Sequence, residues 1–91
     1  MATSLSFVQN ELGHYEASCT SSGDRMAVEV NRTSPGTLII FGCIDGLEKT
    51  ILQNLGPGAD QNIIFEIDVP DEVVISIVSY TEVTSAKITG V

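Results

Sequence analysis

Tryptophan is absent, histidine occurs once, and 4 lysines and arginines stand against 12 aspartates and glutamates, a formal charge of −8 at pH 7. Each shortage excludes something. Nucleic-acid binding rests on clustered Lys and Arg that neutralise phosphates. Here Arg25, Arg32, Lys49 and Lys87 are scattered along the chain, so neither nucleic acid nor an anionic membrane surface is an expected partner. No apolar run approaches the roughly 18 residues of a spanning helix. The opening "MATSLSFVQNELGHY" has neither a basic n-region nor a long apolar h-region, so the expectation is a protein made in the cytoplasm without a signal peptide. Cys19 and Cys43 lack the spacing of a metal site. In a chain without a signal they read as free thiols rather than as a disulfide.

Catalytic chemistry is equally short of parts. His14 is the single histidine, it sits beside Gly13 where a turn or solvent-facing role is expected, and no nucleophile motif accompanies it. No enzyme activity and no cofactor are therefore expected. The carboxylates lack the spaced D-x-[DN]-x-[DN]-G pattern of a calcium loop and read as a solvated acidic face. The aromatic set is Phe7, Phe41, Phe65, Tyr15 and Tyr80. Phe65 falls on an inward face by parity, which leaves Phe41 and Tyr80 as a thin platform for a sugar.

What the chain does have is a period of two. "RMAVEVNR" sets Met26, Val28 and Val30 against Ala27, Glu29 and Asn31. "NIIFEIDV" sets Ile63, Phe65, Ile67 and Val69 against Ile64, Glu66 and Asp68, and "HYEASCT" turns Tyr15, Ala17 and Cys19 inward. Such alternation is the mark of a half-buried strand. Turn chemistry separates the runs. Asp45-Gly46 suits a type I′ hairpin turn, and Ser34-Pro35-Gly36 suits a type II turn with Gly36 at positive φ. "GPGAD" at 56–60 supplies a reversal, with Gly56 and Gly58 in unusual φ, rather than a phosphate cradle, because no helix and no GK[ST] follow it.

The spacing predicts about seven strands, near 14–20, 25–32, 37–44, 47–55, 62–69, 73–80 and 83–90, with residues 3–8 adding an eighth at most. The expected fold is all-β: one domain spanning residues 1–91, an antiparallel two-sheet β-sandwich of jelly-roll or immunoglobulin-like topology.

Two runs break the alternation. "TLIIFGCI" carries Leu38, Ile40 and Ile44 on one face and Ile39, Phe41 and Cys43 on the other. "VVISIVSY" carries Val73, Ile75 and Ile77 against Val74, Val78 and Tyr80. A sandwich strand needs one apolar face, so the second requires a cover. Leu5, Phe7 and Val8 of the N-terminal segment could lie across it, or another protein surface could. The chain also ends on a strand, which at an open sheet edge would favour pairing between subunits. The layout, short, acidic, Ser/Thr-rich and all-β, is similar to that of small β-sandwich components of virions and other assemblies. The reading is a non-enzymatic structural module that self-associates into a homo-oligomer or docks on a larger protein assembly, such as a phage capsid decoration, head-fibre or tail component within a virion. Its interface would be Ile39, Phe41, Val74, Val78 and Tyr80. The alternative is a carbohydrate- or cell-surface-binding module, calcium-assisted through Asp60, Asp71 and Glu72.

Overall fold

The computed structural model describes residues 2–22, 25–69 and 72–89. It contains strands β1 (Thr3–Ser4), β2 (Val8–Gln9), β3 (Tyr15–Thr20), β4 (Arg25–Arg32), β5 (Leu38–Ile44), β6 (Leu47–Asn54), β7 (Asn62–Asp68), β8 (Val74–Ser79) and β9 (Val83–Ile88). No described residue lies in a helix. Asp45 and Gly46, at φ 53° and 77°, close the hairpin in which Ile44 faces Leu47, as a type I′ turn requires.

That turn divides the chain near its midpoint, and the strands on either side pair outward from it in nested order. β5 pairs with β6, β4 with β7, β3 with β8 and β1 with β9, all antiparallel. The resulting long hairpin is rolled so that β8 also pairs with β5 and β9 with β4. Two sheets result, β1-β9-β4-β7 and β2-β3-β8-β5-β6. This winding is the jelly roll, and it settles the choice between the two sandwich topologies.

The core lies between the sheets where the period placed it. Met26, Val28 and Val30 of β4, Leu38 and Ile40 of β5 and Ile75 of β8 have no solvent exposure. Leu5, Phe7, Cys19 and Phe65 pack against them. The N-terminal segment does not roof the second face of β5 and β8. It runs along the sandwich edge, β1 joining β9 and β2 joining β3, and sends Leu5 and Phe7 inward because both sheets offer it an unpaired edge. Nor does the last strand stand at an edge, since β9 lies between β1 and β4.

One end of the sandwich is organised by Arg32, which is 2% exposed. It continues the inward parity of Met26, Val28 and Val30. Its Nε donates to Gln61 O (3.4 Å), Nη1 to Gly36 O (2.9 Å), Thr37 O (3.4 Å) and Ser79 Oγ (3.3 Å), and Nη2 to Ala59 O (3.2 Å) and Asp60 O. The glycine-rich reversal at 56–60 is thus a wall of carbonyls around a guanidinium. Gly56 has φ 69°, whereas Gly58 and Gly36 are not at positive φ. The type II turn expected at Gly36 is therefore replaced by a close approach. A Cβ there would lie 2.8 Å from Thr81 Cγ2, and Thr81 is held by its Oγ1 donating to Ser34 O at 2.8 Å. Gly36→Ala is expected to lower stability by about 1–3 kcal/mol, the usual cost of overpacking, and adding Thr81→Ser, which removes Cγ2, should recover most of it. Thermal melting of the two variants checks this.

Candidate functional site

The outer face of the five-stranded sheet follows from register. Val8, Glu16, Val78 and Ile39 form one row across β2, β3, β8 and β5, and Ser18, Ser76, Phe41 and Ile51 form the next across β3, β8, β5 and β6. One step beyond the Tyr15–Ser79 pair, His14 and Tyr80 meet as stacked rings, with centroids 3.8 Å apart and planes 12° from parallel. The five predicted residues Ile39, Phe41, Val74, Val78 and Tyr80 all lie on this face, together with side chains that the period did not single out.

Two shallow hollows run along β5 and β8. The larger, about 310 Å³, is lined by Phe41, Gly42, Cys43, Lys49, Val74 and Ser76. The second, about 190 Å³, has Ile39, Phe41, Val78 and Tyr80 with Asn10, Leu12, His14, Glu16, Lys49 and Ser76. Phe41, Lys49 and Ser76 border both, so the hollows form one groove. Its floor is aliphatic and aromatic, and its rim carries an amide, a hydroxyl, an imidazole, a carboxylate and an ammonium.

Local chemistry builds each wall. The β2–β3 turn is knit by Asn10, whose Oδ1 accepts from the N–H groups of Leu12 and His14, both at 3.0 Å. Gly13 at φ 81° lets the chain return and present His14 to Tyr80. Tyr80 is fixed from the other side by its N–H donating to Thr37 O at 3.0 Å, a carbonyl that also accepts from Arg32. The buried guanidinium thereby supports the aromatic end of the groove. Lys49 reaches the groove through a bulge. Between the pairs Gly42–Thr50 and Ile44–Leu47 the ladder shifts register, and Lys49 takes φ 57°, a left-handed conformation that costs a non-glycine residue about 1 kcal/mol or more. Bulges of this kind re-aim a side chain.

Other expectations fare differently. The imidazole of His14 makes no hydrogen bond to a hydroxyl or carboxylate among the described residues, so no Ser-His-Asp arrangement forms around it. Cys19 and Cys43 are both free and occupy opposite faces of the five-stranded sheet, Cys19 against the core and Cys43 in the groove. Burial pushes the Cys19 thiol pKa up. The calcium set does not assemble. Asp60 precedes β7 and Glu72 follows it, so the seven-residue strand separates them by roughly 20 Å, and Asp71 lies outside the described residues. No cluster of three or more metal-ligating side chains occurs among the described residues.

Jelly-roll sandwiches occur in viral capsid and lectin domains alike. No family model matches the chain, and no curated protein matches it. Among solved structures it is similar in fold to a mutant of a family 29 carbohydrate-binding module, with a TM-score of 0.50 at 11% identity over 96% of this chain and 73% of that one. The C-terminal CBM6 of LamC, a marine laminarinase from Zobellia galactanivorans, superposes with a TM-score of 0.49 at 13% identity over 98% of this chain and 90% of that one. These neighbours are carbohydrate-binding modules. Nothing in them supports the virion component that composition suggested.

Proposed function

We propose that the protein is a non-catalytic carbohydrate-binding module whose ligand lies in the groove of the five-stranded sheet. The observation that carries this reading is the convergence of the His14–Tyr80 stack and Phe41 with Asn10, Glu16, Lys49 and Ser76 around one hollow. A sugar ring presents an apolar C–H face and a fringe of hydroxyls. It is therefore matched by a flat aromatic surface with donors and acceptors at the edges. The jelly roll shared with a carbohydrate-binding module supports the same reading.

The test is affinity electrophoresis against a panel of soluble polysaccharides, repeated with Tyr80→Ala. At least one polysaccharide should retard the protein. The variant should bind about 30-fold more weakly, as expected for loss of an aromatic anchor worth about 2 kcal/mol, with its melting midpoint little changed. A panel without retardation, or a Tyr80→Ala variant that binds as well as the parent, removes the proposal.

Assembly of the chain with itself is a second reading, favoured by large apolar side chains around the same groove: Leu12 is 79% exposed, Ile51 57% and Val74 50%. Burial of that surface would contribute about 25 cal/mol per Å². Light scattering from micromolar to near-millimolar protein decides it. A rise in mass that Phe41→Glu abolishes, with the variant still folded, supports self-association, and a constant monomer mass excludes it.

A further inference from the structure

Lys49 is the only described cation on the groove face. Arg25 is engaged by Asp68 (3.1 Å) and Glu66 (3.3 Å) at the edge of the other sheet. Arg32 is enclosed at the end of the sandwich, and Lys87 stands across from Glu29 in the four-stranded sheet. The Lys49 ammonium meets no carboxylate among the described residues, yet it borders both hollows. It does so from a left-handed backbone position that glycine would occupy more cheaply. Among the described residues that line the larger hollow it is the sole charged one. Glu16 lies at the other end, with His14 and Val78.

The groove is also long. From Tyr80 to Val74 it follows six residue steps of β8, roughly 20 Å, which accommodates several sugar rings in a row. We infer that the ligand is an acidic polysaccharide, with a uronic-acid unit whose carboxylate meets Lys49 and an uncharged unit over the His14–Tyr80 stack, where Glu16 repels a second carboxylate. This inference rests on the carbohydrate reading above and names the class of sugar. The net charge of −8 does not oppose it at contact range, because at physiological ionic strength charges beyond about 8 Å are largely screened and the nearest charge decides.

The experiment compares acidic polysaccharides of different linkage (alginate, polygalacturonate, glucuronoxylan, hyaluronan), each with its carboxyl-reduced counterpart, by titration calorimetry at low and physiological salt. At least one acidic polymer should bind about ten-fold more tightly than its reduced form, the worth of one charge-assisted hydrogen bond, and added salt should narrow the gap. Lys49→Asn removes the charge while keeping a residue that tolerates positive φ. It should abolish the difference between the acidic and reduced forms, with the melting midpoint little changed. Equal binding of acidic and reduced forms overturns the inference and leaves the carbohydrate reading standing. A preference that survives in Lys49→Asn overturns the role of Lys49. Failure of both polymer forms to bind overturns the inference, and the carbohydrate reading then falls only if the wider polysaccharide panel also fails to retard the protein.

Discussion

Arg32→Met should lower the melting midpoint by at least about 15 °C or abolish a cooperative transition altogether. Methionine fills much of the arginine's volume, so the effect isolates the guanidinium. That group donates to Ser79 Oγ and the carbonyls of Gly36, Thr37, Ala59, Asp60 and Gln61. Thr37, Ala59 and Gln61 also accept from the N–H groups of Tyr80, Gly36 and Arg32, so the loss is that of the charge-assisted bonds themselves, about 1.5–3 kcal/mol each. Relaxation and entering water will recover part of this, leaving a net loss of about 3–5 kcal/mol. A domain of this size is stabilised by about 5–15 kcal/mol in total, and each kcal/mol moves its midpoint by about 4–8 °C. No described carboxylate neutralises the guanidinium. Burial pulls its pKa down, but an arginine side chain stays charged throughout the range in which proteins are handled. Arg32→Lys retains the charge and loses the fork, so it should recover only part of the stability. A midpoint within a few degrees of the parent in Arg32→Met would show that the loop at 56–60 does not depend on this side chain.

Ile77→Ala and Ile64→Ala remove the same atoms from two strands and should differ widely. Ile77 is 1% exposed in β8, between Ala17 and Ile40 on the neighbouring strands, and its truncation leaves a cavity costing about 2–5 kcal/mol. Ile64 is 72% exposed on the edge strand β7, where truncation should change stability by no more than about 0.5 kcal/mol. Urea unfolding of both variants, with unchanged slope, gives the comparison. A cost for Ile64→Ala as large as that for Ile77→Ala would mean that the outer face of the four-stranded sheet is covered in solution.

The strands and the central turn were legible because their signals are local. Met26, Val28 and Val30 announce their face by parity alone, and Asp45-Gly46 announces its φ values by side-chain chemistry. The pairing of β1 with β9 or of β3 with β8 has no local signature, so two covers stayed open for the second apolar face, and the N-terminal segment proves to run along the sandwich edge. Ile39, Phe41, Val74, Val78 and Tyr80 were found as a second apolar face. Their convergence with His14 and Glu16 depended on a register that only the folded sheet defines. Lys49 was invisible for a different reason, since a bulge breaks the alternation on which parity depends. Arg32 did leave a trace: it continues the inward series 26, 28, 30, just as Ser79 continues 73, 75, 77. A charged residue on an inward parity, near a loop rich in free carbonyls, is the signal that was there to read.

The nested pairing about Asp45-Gly46 bears on how such a chain is born. β9, the last strand of the sandwich in sequence order, is an interior member of its sheet, held by β1 on one flank and β4 on the other. Until it arrives, β4 lacks a neighbour and Met26, Val28 and Val30 lack part of their cover. The β5–β6 hairpin can close early, but every later pairing joins residues ever farther apart in sequence, so folding belongs to the slow, milliseconds-to-seconds class of non-local β topologies. The nascent domain therefore remains open to capture by chaperones and proteases until β9 has been made, and loss of a few residues of β9 would forfeit the fold rather than trim it.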